Sequence, residues 1–242
     1  MSDALFIGLI AFVAFAYAMV GHGGASGYLA LMGVMGFAPD VMKPSALVLN
    51  LCVSLIAFAQ FARAGHFKWK LIWPFAVASV PCAFLGGRIT LDPLLYKRIL
   101  AVCIVISALR LLGVFASRTR EAREVPIPLA LFIGAAIGML SGMLGIGGGI
   151  LLSPVLLLCA WADAKTAAAT SAAFIFVNSA AGLVGMKTMT HVFDPSMIVW
   201  SSAAIGGGLL GSWIGARKAP EPRLRQALGV VLLLASVKLF WP

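Results

Sequence analysis

The sequence predicts an all-helical integral membrane protein made of two inverted repeats of five hydrophobic segments, the second segment of each repeat short, broken or re-entrant. Three observations predict it. Of the 242 residues, 62% are hydrophobic and 11% charged, with a mean hydropathy of +1.04; a soluble domain is about 45–50% apolar and about 25% charged. Apolar runs recur along the whole chain. Glycine clusters interrupt those runs at matching places in the two halves.

In chain order, the first five runs fall at residues 4–20, 27–38, 44–62, 71–87 and 94–112. The most polar segment follows at 117–125, SRTREAREV. Runs resume at 126–144, 149–161, 166–186, 195–216 and 224–241. A spanning helix needs roughly 20 apolar residues, about 17 at the least, and eight runs qualify. The second and seventh do not. Helices over 29–38 and 150–161 would reach only ~15–18 Å at 1.5 Å per residue, against a hydrocarbon core of ~30 Å.

The matching short runs point to an internal repeat. Met19-Val20-Gly21-His22-Gly23-Gly24 aligns with Met143-Leu144-Gly145-Ile146-Gly147-Gly148, and Ala46-Leu47-Val48-Leu49-Asn50 with Phe174-Ile175-Phe176-Val177-Asn178. Trp73 pairs with Trp200, Gly86 with Gly211, Arg98 with Arg225, and Leu109-Arg110-Leu111 with Val237-Lys238-Leu239. The expected division is a first membrane repeat at 1–116, a charged cytoplasmic linker at 117–125 and a second membrane repeat at 126–242. Five segments is an odd number, so the halves should insert with opposite orientations. In the ten-segment arrangement 12 of the 18 basic residues, Arg110 among them, fall on the linker side. Merging each short run with its predecessor gives about nine to nine. Only the first arrangement recovers the positive-inside bias. It places the linker in the cytoplasm and both termini outside.

The net charge of +10 does not imply nucleic acid, because the basic residues sit in short connections and form no stripe with interleaved aromatics. Cys52, Cys82, Cys103 and Cys159 lie within apolar runs without a CxxC pair and read as small hydrophobes. No cleavable signal peptide is expected, since Asp3 and no basic residue precedes the first run. Pro44, Pro126, Pro195 and Pro222 mark helix starts, while Pro81 and Pro154 fall inside runs and kink them. All eight acids, Asp3, Asp40, Asp92, Glu121, Glu124, Asp163, Asp194 and Glu221, fall in loops or at segment ends. That disfavours a carboxylate relay or carboxylate cation site and suits an anionic substrate.

The candidate site centres on the two breaks. The clusters at 21–27 and 145–149 contain adjacent glycines and precede runs too short to span. Paired interruptions of this kind point to a transporter site, and an unwound break exposes helix N-terminal N–H groups that attract anions. Neither cluster is a phosphate loop, since no Lys-Ser/Thr follows Gly149. Gly207, Gly211 and Gly215 follow small-xxx-small spacing and are assigned to helix packing. His22 is the one ionisable residue within a break; it donates to an anion or titrates, or is a neutral ring satisfied by backbone. Its counterpart is Ile146. Asn50 and Asn178 occupy equivalent third segments, with Ser45, Ser54, Thr170, Ser171 and Ser179 around them. His66 and His191 read as solvated loop residues. The expected substrate-binding set is His22, Gly23, Gly24, Ser26, Asn50, Gly147, Gly148, Gly149, Ser171 and Asn178, with no catalytic residue, metal or cofactor.

The second half, GMLGIGGGILLSPVLLL followed by TSAAFIFVNSAAGLVG, resembles the TauE/SafE sulfite-exporter family, also called the toluene-sulfonate uptake permease family. The first half agrees, with GHGGASGYLALMG, KPSALVLNL and FLGG at 84–87. The resemblance implies a bacterial inner-membrane secondary transporter for small anions, often sulfite, sulfonates or related organosulfur compounds. GHGG departs from the commoner glycine string and makes His22 a candidate for substrate choice within a subgroup. The alternatives are an anion channel or a small-carboxylate transporter of the same architecture; a membrane enzyme would need a buried acid, His pair or Cys–His pair that the sequence lacks. The expected partners are the anion and the lipid bilayer, with no nucleic acid and a homodimer left open.

Overall fold

The computed structural model describes residues 3–114, 123–186, 195–218 and 222–240. Among these it contains ten helices and no strand: α1 Asp3–Ala18, α2 Ala25–Val34, α3 Pro39–Arg63, α4 Trp69–Arg88, α5 Pro93–Leu111, α6 Ile127–Leu144, α7 Gly149–Leu158, α8 Ala164–Gly185, α9 Pro195–Arg217 and α10 Pro222–Phe240. Most of the linker, and His191, lie outside the described residues.

The short runs are short helices. α2 and α7 have 10 residues each, so each rises ~15 Å and neither crosses a bilayer. Of the eight runs expected to span, five become helices that meet both the length and the hydropathy of a span: α3, α4, α6, α8 and α9. α1 stops at 16 residues, where its glycine break begins. α5 and α10 have 19 residues, but each carries three basic residues, Lys97, Arg98 and Arg110 in α5 and Arg223, Arg225 and Lys238 in α10.

Local chemistry sets the helix ends. α3 begins at Pro39, earlier than the start expected at Pro44, because Pro39 already supplies the fixed φ of a first helical position. Pro44 lies buried inside α3, and Pro81 and Pro154 are likewise inside helices. Asp92 caps α5 through Leu94 N–H (2.9 Å) and Leu95 N–H (3.2 Å). Asp163 caps α8, accepting from the Thr166 N–H at 2.8 Å and the Thr166 hydroxyl at 3.2 Å. Partial burial works against the Asp163 carboxylate, but these bonds, with the Lys165 backbone and the Lys68 charge, outweigh it and hold the group below its ordinary range.

Glycines let helices approach backbone to backbone. A Cβ on Gly207, Gly211 or Gly215 of α9 would strike in turn the carbonyls of Ala11 and Phe15 in α1 and of Met19 just past its end, which is the packing role expected of that stripe. A second stripe, Gly134, Gly138 and Gly142 of α6, lies equally close to Phe75, Ser79 and Ala83 of α4. With α1–α5 matched to α6–α10, these contacts are reciprocal: α1 packs on α9 as α6 packs on α4, and α3 on α9 as α8 on α4. α3 crosses α8, and α5 crosses α10. The breaks are thereby enclosed where the first and second halves meet.

Candidate functional site

Each break is built from left-handed glycines. Gly24 (φ 98°) is the N-cap of α2 and Gly148 (φ 77°) the N-cap of α7. Gly21, Gly145 and Gly147 also have positive φ. Left-handed backbone costs an L-residue with a Cβ roughly 1–2 kcal/mol, so glycine is the residue that turns the chain here.

Asn50 lies between the two breaks. Its Oδ1 accepts from the Ala25 N–H at 3.0 Å, at the first turn of α2. A Cβ on Gly23 would collide with that same oxygen. On the opposite side, a Cβ on Gly147 would stand 2.6 Å from Asn50 Nδ2 and 3.0 Å from the Ser179 hydroxyl. One carboxamide therefore fills the space between the first break and the second. Its Oδ1 is used by helix α2, and its Nδ2 donors have no partner among the described residues.

Other unpartnered buried polar groups adjoin the same glycines. The Ser179 hydroxyl sits beside Gly147, Ser141 beside Gly148 and the Tyr28 phenol beside Gly24. Ser45, Ser54 and Thr170 are also buried without a partner among the described residues. Buried polar atoms ordinarily find partners, and Ser179, Ser141 and Tyr28 lie with Asn50 around the two breaks.

His22 reaches from the first break to the second. Its Nδ1 donates to the Val20 carbonyl at 2.8 Å. Its Nε2 lies 3.2 Å from the Gly149 carbonyl and 3.1 Å from the Ser153 hydroxyl, and touches the Arg110 guanidinium. Ser153 in turn bonds Ser171. The same Arg110 guanidinium nitrogen lies 3.0 Å from His22 Nδ1, so it faces both ring nitrogens.

The expected residues divide into two groups. His22, Gly23, Gly24, Asn50, Gly147, Gly148, Gly149 and Ser171 line or bridge the facing breaks. Ser26 is taken up in a hydroxyl triad with Tyr17 (2.6 Å) and Ser107 (3.1 Å) that ties α1, α2 and α5 together. Asn178 is fully buried, but its Nδ2 donates along its own helix to the Phe174 carbonyl at 2.8 Å, and its Oδ1 has no partner among the described residues. The two asparagines thus share register but not bonding. His66 is half-buried against Phe61. Sequence reasoning missed Arg110, which it assigned to a helix end on the linker side, along with Ser153, Ser141, Tyr17 and Ser107. The recurrence of a basic residue late in the fifth run of both halves, Arg110 and Lys238, was the available signal.

These features define a multi-pass helical membrane protein with two facing broken segments and an enclosed polar centre. A family model described as Sulfite exporter TauE/SafE matches residues 5–239. The chain belongs to that family and is a membrane transporter of the TauE/SafE type. It is 39% identical to "Probable membrane transporter protein y4hK" of Sinorhizobium fredii over 248 aligned residues, covering 99% of this chain and 100% of that protein. "Probable membrane transporter protein YjnA" of Bacillus subtilis is 26% identical, with 94% and 96% of the two chains covered. A probable membrane transporter of Methanocaldococcus jannaschii, MJ0441, is 23% identical over 80% of this chain and 78% of its own. No solved structure matches.

Proposed function

We propose that the protein is a secondary transporter moving a small anion, a sulfur oxyanion or organosulfonate of the sulfite or sulfonate type, across the bacterial inner membrane by alternating access. In this reading the two five-helix halves, 1–116 and 126–242, are inverted relative to one another, the linker at 117–125 is cytoplasmic and the termini are periplasmic. The anion lies between the breaks. Its oxygens accept from Asn50 Nδ2, the Ser179 hydroxyl and backbone N–H groups at the start of α7, with the Arg110 guanidinium supplying the compensating charge. The observation that carries the reading is the Asn50 carboxamide, shared between both breaks, with no partner for its Nδ2 donors among the described residues. The family description, sulfite exporter, supports the substrate class.

A hydrogen bond to a charged group is worth ~1.5–3 kcal/mol. Asn50→Ala in proteoliposomes is therefore expected to lower kcat/KM for sulfite by about 10- to 100-fold. Asn178→Ala, which removes a bond within α8, should act less. Unchanged affinity and rate in both variants would sink the site. Saturating uptake with counterflow supports a carrier, whereas steady anion conductance would make the same architecture a channel.

A further inference from the structure

We propose that Lys43 and Arg88 form an anion-capture site at one mouth of the protein, through which the transported oxyanion reaches the central site from that side. The proposal rests on the anion-transport reading above and adds a second, one-sided subsite to it.

A cavity of about 100 Å³ opens where the start of α3 meets the end of α4, lined among others by Asp40, Lys43, Arg88, Thr90, Tyr96 and Met143. One water needs only ~10–15 Å³ of such space, so the cavity has room for a small oxyanion. Lys43 is only 7% exposed. Two of its three N–H groups donate to the Gly87 carbonyl (3.1 Å) and the Ile89 carbonyl (3.4 Å) at the end of α4. The third has no partner among the described residues, and Lys43 lines the cavity. Arg88 is exposed at the rim, its guanidinium held over the Phe84 ring at 5.0 Å. Against the single carboxylate of Asp40, these two cations leave the vestibule net positive.

The vestibule adjoins the transport machinery directly. A Cβ on Gly145, the left-handed C-cap of α6, would stand 3.0 Å from the Lys43 carbonyl and 3.1 Å from its Cγ. Tyr96 donates to the Leu144 carbonyl at 2.9 Å and so pins the end of the same break. Lys43 and Asn50 are seven residues apart, two turns of α3, and both are buried. One helix face therefore runs from the cavity to the central carboxamide.

The other mouth differs. Where Gly145 rests on Lys43, Gly21 rests on the backbone of Ala168. The lysine on that side, Lys165, is half-buried in the first turn of α8, its Nζ 3.4 Å from the Ala216 carbonyl. It serves the end of α9 much as Lys43 serves the end of α4, but Ala168 takes the place beside the break. If a helix-end bond were the whole role of Lys43, the two lysines would behave alike.

The test is sulfite transport by the full chain in proteoliposomes of fixed orientation, measured from each side. Lys43→Gln should raise KM from its own side by about tenfold with kcat within about twofold, and leave KM from the linker side unchanged. Arg88→Gln should raise the same KM by a smaller factor, and Asp40→Asn should lower it. These two rim positions are exposed, so they decide the matter even if Lys43→Gln does not fold. Lys165→Gln, the control for a helix-end role, should leave KM on the Lys43 side unchanged. Lower stability or kcat with unchanged KM in Lys43→Gln, or no KM change in Arg88→Gln and Asp40→Asn, overturns the proposal. If the wild-type chain moves no sulfite, the transport reading itself fails. The vestibule is then judged by calorimetric sulfite binding to the detergent-solubilised protein, where equal binding by wild type and Lys43→Gln overturns it.

Discussion

Alanine at position 147 places one methyl group where both breaks meet. Gly147 has φ 72°, so an alanine there carries the left-handed penalty of roughly 1–2 kcal/mol. Its Cβ would also stand 2.6 Å from Asn50 Nδ2, 2.8 Å from Ile175 Cγ2 and 3.0 Å from the Ser179 hydroxyl. Forcing a methyl into a filled site costs a further ~1–3 kcal/mol, for a total of about 2–5 kcal/mol. Gly36 separates the two terms: its φ is 82°, and nothing lies within 4 Å of its Cβ position. Gly36→Ala carries the backbone term alone, about 1–2 kcal/mol. Thermal unfolding of the detergent-solubilised variants should therefore show Gly147→Ala losing about twice as much stability as Gly36→Ala. In proteoliposomes, Gly36→Ala should keep sulfite uptake. Gly147→Ala should lose most of it, because the methyl displaces the Asn50 donors. Equal destabilisation of the two variants, together with wild-type uptake by Gly147→Ala, would refute the placement of Asn50 against the second break.

His22→Gln removes the ring that joins the first break to the Gly149 carbonyl, the Ser153 hydroxyl and Arg110. Sulfite KM in proteoliposomes should then rise, and a KM equal to the wild type would show that the ring plays no part in holding the site together. Arg110→Lys should fail to restore the affinity lost in Arg110→Gln, because an ammonium lacks the planar fork of the guanidinium; direct measurement of sulfite KM in the two variants decides it. Asp163→Ala should cost about 0.5–2 kcal/mol as a lost N-cap. The Asp163 carboxyl is held below its ordinary value of 3.8. Its contribution is therefore fully present above that value and drains away as pH falls through the lower folded value. The gap in unfolding midpoint between wild type and Asp163→Ala should be full near neutrality and shrink below about pH 4; a gap that persists in acid contradicts the capping role.

The sequence by itself determined the solvent and hence the elements. A bilayer admits helices and little else from a chain this apolar, so the ten segments, the two short helices and the glycine breaks were all legible along the chain. The stripe of Gly207, Gly211 and Gly215 was legible as a packing face for the same reason, since its spacing is a property of one helix. Two stripes of this kind exist, however, and the one at Gly134, Gly138 and Gly142 came only from the structure. Residue type and register suggested that Asn50 and Asn178 would act alike. The tertiary structure separated them, bonding Asn50 across to α2 and Asn178 back onto α8.

The cation beside His22 was hidden for a physical reason. Helices apolar on every side carry no polar stripe to announce which face turns inward, so a basic residue near the end of an apolar run reads as a loop charge. Arg110 is 88 residues from His22, and Ser153 is 131 residues from it. Pairings at that separation depend on which helix crosses which, and at what height. The sequence determined where the chain breaks. The crossing of α3 with α8, and the glycine stripes that draw α1 to α9 and α6 to α4, decided that the two breaks share a single carboxamide.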